Sequence, residues 1–229
     1  GYRVLVNAYG NNKDDLVFIN LIVISDTLRP EAKPSLDLIK NAGIKVIMIT
    51  GDAKETAVSI GKELGLYNEK SVALTHNELS VLTDEQIINL YPNLCIIARA
   101  LPQDKSRLVS VLQSYKQVVG MTGDGVNDAL ALKKSDVGFA LGSGSEVAKD
   151  ASDIVILDDN ISSICKAILY GRTIFKSIRK FIIYQLTVNI CALILSIVGV
   201  LVGISTPITI IQMLWLNMIM DTFAGLAFF

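Results

Sequence analysis

The sequence predicts an α/β domain built on a doubly wound parallel sheet, followed by a two-helix transmembrane hairpin. Short β-branched apolar runs alternate with helix-period segments over residues 1–160, the pattern of strands joined by crossover helices. Beyond residue 180 the character changes: residues 181–202 hold no charged side chain and residues 207–229 hold only Asp221. Each stretch is long enough to cross a hydrocarbon core of about 30 Å. They account for a hydrophobic fraction of 51% and a mean hydropathy of +0.48, both above the ordinary soluble range. Residues 203–206 leave room only for a tight turn between the spans.

Taken in order, residues 1–6, 16–24, 45–49, 95–98, 118–121, 137–140 and 154–157 are short and apolar, bounded by Gly, Asp or Ser, and are expected as strands. Residues 31–41, 54–64, 103–115, 128–134 and 145–151 carry helical patterns. Residues 68–93 are more polar; with an N-cap at Thr83 or Asp84 they read as a small helical excursion. From Ser162 a helix rich in Lys and Arg is expected to run unbroken into the first span, joining the two parts mechanically. The resulting division is a domain over 1–160, a basic stalk helix over 161–180, and a hairpin over 181–229.

Charge and cysteine content narrow the partners. All 21 Lys and Arg lie in residues 1–180 together with all but one of the 22 acids, so this part is neutral overall and nucleic acid is excluded as an expected partner. Arg172, Lys176, Arg179 and Lys180 crowd before the first span, which places residues 1–180 in the cytosol. Cys95, Cys165 and Cys191 show neither zinc nor disulfide spacing. No signal peptide is read at the start, and the chain looks cut from something longer at both ends.

The chemistry concentrates at strand ends. Residues 122–129, Thr-Gly-Asp-Gly-Val-Asn-Asp-Ala, come directly after an apolar run and open a helix. The glycines are expected to permit a tight turn at positive φ. Backbone N–H groups there favour an oxyanion, and Asp124 and Asp128 are hard oxygen ligands suited to Mg2+. A second Thr-Gly-Asp, Thr50, Gly51 and Asp52, also comes after an apolar run. Alone, that triplet reads as a helix N-cap; two copies with Asn127 and Asp128 favour a phosphate site. Arg99 and Lys105 flank Pro102 after a further strand. The helix dipole disfavours a cation in a first turn, so Lys105 either points at an anion or is simply solvated. Phosphoryl transfer needs positioning and charge neutralisation. Thr50, Gly51, Lys105, Asp124 and Asn127 supply these, without a nucleophile.

Thr50-Gly51-Asp52, Arg99 with Lys105, and the octet resemble the later motifs of the haloacid dehalogenase superfamily as they occur in P-type cation-transporting ATPases, as do Ser135-Asp136-Val137-Gly138 and Ala151-Ser152-Asp153. The resemblance implies an aspartyl-phosphate chemistry fed by ATP, with Thr50, Gly51, Asp52, Arg99 and Lys105 on the phosphoryl and ATP side. It further implies Mg2+ at Asp124, supported by Asn127 and Asp128. The Asp-Lys-Thr-Gly-Thr nucleophile segment of that family is absent here. Nucleophile, nucleotide-binding domain, actuator domain and first four spans are therefore expected upstream, and the isolated chain is expected to be inactive. Asp26 matches the family's Asp-Pro-x-Arg hinge, with Thr27 in place of Pro.

Asn217 and Asp221 stand four apart, on one face of a helix. An intramembrane carboxylate is functional by default, and Asp221 lies roughly 12 Å inside Phe229 by helical rise. The bland alternative is an Asp that snorkels to water. Asn189 lies at similar depth from its own end and could meet them; Gln185 reads as an interhelical hydrogen bonder. Oxygen donors favour Ca2+ over a soft metal. Residues 212–222 resemble the sixth helix of Ca2+ pumps, and 185–189 the fifth helix of the plasma-membrane type. Ala192 and Met220 replace two oxygen ligands of the sarcoplasmic-reticulum type, which implies one Ca2+ per cycle at Asn217 and Asp221. The competing readings are a Na+/K+ or H+ pump, a membrane-tethered phosphatase of the same superfamily, and a regulatory module with vestigial motifs.

Overall fold

The structure, a computed structural model, describes residues 3–10, 12, 15–24 and 27–228, without the side chains of Arg3 and Phe228. Asp26 and Ser25 lie outside the described residues. The chain forms two compact units, residues 1–165 and 166–229.

In the first unit the parallel strands expected from the alternation are present, gathered into two three-stranded halves. One half has the order β3 (Met48–Ile49), β5 (Leu94–Ala98), β4 (Val72–Thr75); the other runs β6 (Gly120–Gly123), β7 (Val137–Leu141), β8 (Ile154–Ile156). Pairing is parallel throughout both halves. Among the described residues β3 and β6 are each bonded along one edge only. A separate antiparallel ribbon pairs β1 (Arg3–Tyr9) with β2 (Val17–Ile24), and every β2 side chain is exposed.

Two boundaries differ from expectation. Strand β4 falls within the segment read as a helical excursion. That segment does contain helices, α3 (His76–Ser80) and α4 (Asp84–Leu90), each begun by a threonine capping box at Thr75 and Thr83. Strand β6 starts at Gly120 and runs through Thr122 and Gly123, so the first two residues of the octet extend the strand instead of forming the turn.

The core sits on β5, whose five residues are all buried, as a central strand covered on both faces must be. Leu94 and Ile97 pack in one cluster with Leu79, Ile87, Leu108, Val111 and Leu112 from α3, α4 and α5 (Pro102–Ser114). In a second cluster, Cys95, Ile96 and Ala98 meet Ala57 of α2 (Lys54–Glu63) and Ala73 of β4. Leu36 of α1 (Ala32–Asn41) closes the flank against Leu64 and Leu66. The second half is pinned by Leu132, Ala140 and Ala148, joining α6 (Ala129–Lys134) and α7 (Glu146–Asp150) to β7.

Helix α8 runs without interruption from Ile161 to Leu201, a length of about 60 Å at the usual rise. Helix α9 (Ile210–Phe228) comes next, so residues 202–209 form a longer connection than expected. Thr209 and Gln212 cap α9 reciprocally: Thr209 N–H donates to Gln212 Oε1 at 3.0 Å, and Gln212 N–H to Thr209 Oγ1 at 3.3 Å. Both helices are long and apolar enough to cross a membrane, and nearly all their apolar side chains are exposed.

Candidate active site at the strand ends

Three loops meet at the carboxyl ends of β3, β5 and β6. The first two are joined through the backbone: Arg99 N–H donates to Asp52 O and Ala100 N–H to Thr50 O, both at 2.9 Å. The pairing of β3 with β5 thus continues past the strands and fixes Thr50, Gly51 and Asp52 against the start of the Arg99–Lys105 segment. Arg99 adopts φ +49°, a left-handed conformation that costs a non-glycine residue on the order of 1 kcal/mol.

Inside the first loop, Thr50 Oγ1 donates to Asp52 Oδ2 at 2.8 Å and accepts from Asp52 N–H at 3.1 Å. The helix-cap reading of Asp52 is not what the chain does. The N-cap of α2 is Ala53, with no side-chain capping bond, so the triplet closes on itself and leaves Gly51 and Asp52 exposed.

Lys105 lies in the first turn of α5 and meets an anion that the chain itself supplies. Its Nζ donates to Asp128 Oδ1 at 2.5 Å, with the two side chains 20% and 8% exposed. The other carboxylate oxygen of Asp128 accepts from the N–H groups of Asp124 and Gly125 at 3.3 and 3.4 Å. Asp128 therefore anchors both the lysine and the octet's turn. Two charges so placed need such partners, because a buried, unpaired carboxylate is costly.

The octet glycines do not use positive φ; among the described glycines that conformation belongs to Gly43, Gly65 and Gly203. Gly123 is required for space: a Cβ there would stand 2.5 Å from Asp128 Cβ. The turn proper is a 3-10 segment, Val126–Asp128, before α6 begins at Ala129. Beyond it, Ser145 N–H donates to Asp124 O at 2.8 Å, which ties the octet to the loop after β7. Ser143 N–H in that loop donates to Asp159 Oδ1 at 3.2 Å. The Ser143 hydroxyl, and after it this backbone bond, holds the Asp159 carboxyl below its ordinary pKa. The Asp159 carbonyl in turn accepts from the Arg29 guanidinium at 2.7 Å.

The carboxylate of Asp124 is exposed and, unlike those of Asp52 and Asp128, takes part in no hydrogen bond or ion pair among the described residues. Asn127 is exposed beside it. Among the described residues no three His, Cys, Asp or Glu side chains cluster as a metal cage. An uncommitted carboxylate beside oxyanion-binding N–H groups suits Mg2+, which prefers one or two carboxylates together with waters and phosphate oxygens.

The remaining predicted residues stand elsewhere: Asn189 on α8, Asn217 and Asp221 one turn apart on α9. Asn189 and Asp221 are exposed and Asn217 is half-buried. No hydrogen bond joins Asn189 to the other two among the described residues. Two residues bordering the site escaped the sequence reading. His76 bonds Asp104 through Nδ1 at 2.8 Å, and Lys54 pairs with Glu78 at 2.8 Å. A lone His and a lone Lys carry no spacing signal.

The geometry of these loops accords with the match of residues 4–136 to the haloacid dehalogenase-like hydrolases. The chain belongs to that family. Residues 106–168 match a second haloacid dehalogenase-like hydrolase family. At the level of whole proteins the chain is 44% identical to calcium-transporting ATPase 2 of Schizosaccharomyces pombe, over 93% of this chain and 17% of that protein. It is 42% identical to plasma membrane calcium-transporting ATPase 4 of Homo sapiens, over 93% and 18%. It is likewise 42% identical to calcium-transporting ATPase 1 of Lactococcus lactis, over 98% and 27%. Its fold is similar to that of a zinc-transporting PIB-type ATPase solved in the E2.Pi state, with TM-score 0.67 and 25% identity, covering 100% of this chain and 35% of that one. The chain thus spans 17–27% of the length of these curated relatives.

Proposed function

We propose that the chain is the phosphorylation domain and fifth and sixth spans of an ATP-driven Ca2+ pump working through an aspartyl phosphate. The observation that carries this is the convergence of Thr50, Lys105 and Asp124 on loops bonded to one another, in a chain that also holds two apolar helices. In this reading the nucleophilic Asp is supplied by a segment outside this chain, as are the actuator domain, the nucleotide-binding domain and the first four spans. Among the described residues β3 and β6 each have an edge with no strand bonded to it, and such a segment would pair there.

Within the site, Lys105 neutralises phosphoryl charge and Thr50 and Gly51 donate to its equatorial oxygens. Asp52 holds the Thr50 hydroxyl in place, and Arg99 faces ATP. Asp124 holds Mg2+, with Asn127 and Asp128 supporting it. The metal, when bound, offsets charge on the phosphoryl oxygens. Asp128 pairs with Lys105; a phosphoryl group would compete for that ammonium, so Asp128 keeps the lysine aimed at the site.

On the membrane side, an exposed carboxylate such as Asp221 is costly in lipid. Its exposure supports further spans packing against α9, and Asn217 and Asp221 would bind Ca2+ together with a Glu from an earlier span. Asn189 is a third candidate ligand. Helix α9 has no cysteine, which separates its donor chemistry from that of a soft-metal pump. Phosphorylation and ion affinity are coupled along α8. Residues 1–180 face the cytosol, in a plasma membrane.

The test is acid-stable phosphoenzyme formation by the full-length protein with and without Ca2+. Labelling that requires Ca2+, with one Ca2+ bound per phosphoenzyme, is the expected result. Labelling indifferent to Ca2+ overturns the ion assignment, and two Ca2+ per phosphoenzyme overturns the single-site claim.

A further inference from the structure

We infer that His76 is a positioning residue for Lys105, acting through Asp104. His76 opens α3 directly at the carboxyl end of β4, and its Nδ1 lies 2.8 Å from Asp104 Oδ2. The same carboxylate oxygen accepts Leu101 N–H at 2.8 Å, closing the first turn of α5. Asp104 is 6% exposed and the imidazole 25% exposed in their side chains. A carboxylate only accepts hydrogen bonds, so the ring is held with its proton on Nδ1. No other side chain donates to Asp104 among the described residues.

The next residue in that turn is Lys105. A cation near a helix N-terminus is opposed by the dipole, so its aim depends on the turn being pinned. Leu101 N–H alone leaves one donor for a buried charge, and such a group regains solvent by loosening its surroundings. From the same helix α3, Glu78 accepts from Lys54 of α2, just beyond the Thr50–Asp52 loop. Helix α3 therefore braces both phosphate-facing loops while contributing no residue to the phosphate itself.

This inference rests on the reading of Lys105 as a phosphoryl-binding residue. Its test is phosphoenzyme formation from inorganic phosphate, without ATP, by the full-length protein and its His76→Phe and His76→Asn variants, alongside their thermal midpoints. Phe keeps a ring and removes the donor; Asn restores an N–H close to the position of Nδ1. The half-saturating phosphate concentration should rise roughly tenfold in His76→Phe, the scale of one hydrogen bond to a charged group. It should return to within about twofold of the parent in His76→Asn. A purely structural histidine would lower the midpoint in both variants and leave the phosphate requirement of the folded protein unchanged. An unchanged requirement in His76→Phe, or equal loss in both variants, overturns the inference. A parent protein that takes no phosphate overturns the pump reading and this inference with it.

Discussion

The chain spells Thr-Gly-Asp twice and folds it two ways. At Thr50 the hydroxyl is bonded to Asp52 two residues on, and the space around Gly51 is open. At Thr122 the triplet begins inside a strand, Gly123 is pressed against Asp128, and the Asp124 carboxylate is left uncommitted. The neighbouring residues on the C-terminal side decide the difference. The first triplet runs into Ala53 and an uncapped helix; the second runs into Gly-Val-Asn-Asp, whose last residue folds back under the loop. One triplet is a self-closed donor loop, the other a cradle holding a free anion, and a short motif alone specifies neither.

The largest expected separation between the two is functional. On the proposed function, Asp124→Asn should lower phosphoenzyme formation in the full-length protein by on the order of a hundredfold or more, through loss of the charge proposed to hold Mg2+. Asp52→Asn should cost at most about tenfold, since an amide oxygen still accepts from Thr50. Equal losses at the two positions would remove the distinction between donor loop and cradle.

Next in size is a steric contrast, measured by thermal or denaturant unfolding. Gly123→Ala forces a methyl into Asp128 and should destabilise by about 1–3 kcal/mol, as overpacking does. Gly51→Ala meets nothing within 4 Å and should stay within about 0.5 kcal/mol of the parent. A neutral Gly123→Ala would show that the octet yields more readily than its contacts imply.

The smallest effect concerns the braces. The first loop is steadied by Lys54 and Glu78, 34% and 48% exposed; the second by the far more enclosed Lys105 and Asp128. The Lys54 ammonium, and after it the Thr75 N–H, holds the Glu78 carboxyl below its ordinary value of 4.5. A depressed carboxyl stabilises the fold above its unfolded pKa, and that contribution is lost as pH falls through the lower folded value. Glu78→Gln should therefore flatten the acid limb of the stability curve from about pH 4.5 downward, by no more than about 1 kcal/mol given the exposure of the pair. It should leave stability at neutral pH nearly level once salt is raised. An unchanged acid limb would mean that the brace contributes nothing.

The fold class was legible because periodicity is local: parallel strands buried on both faces leave apolar runs, and spans leave uncharged ones. Strand β4 was not legible, since Val72–Thr75 is short, flanked by polar residues, and succeeded at once by two capped helices whose signals dominate. The loops at the strand ends were legible as motifs, yet the role given to their glycines was not. Gly123 answers to a side chain five residues later, and that contact exists only once the turn has folded. Lys105 and Asp128 read separately as a candidate cation and a candidate metal ligand. Their pairing required α5 and the octet to be brought together by different strands. His76 was invisible because a single imidazole has no pattern, and its meaning comes wholly from the carboxylate it meets.

Strand β6 also sets a clock. In a parallel ladder alternate residues address opposite neighbours, so with β7 as its one bonded neighbour among the described residues, alternate amides of Gly120–Gly123 face outward. These should exchange their hydrogens by local opening, while the amides of β5, bonded on both sides and buried, should wait for global unfolding. A strand that docked along β6 would slow the outward set and leave the inward set as it was. Deuterium uptake along this one short strand would then report, without any activity assay, whether a strand has paired with the open edge of β6.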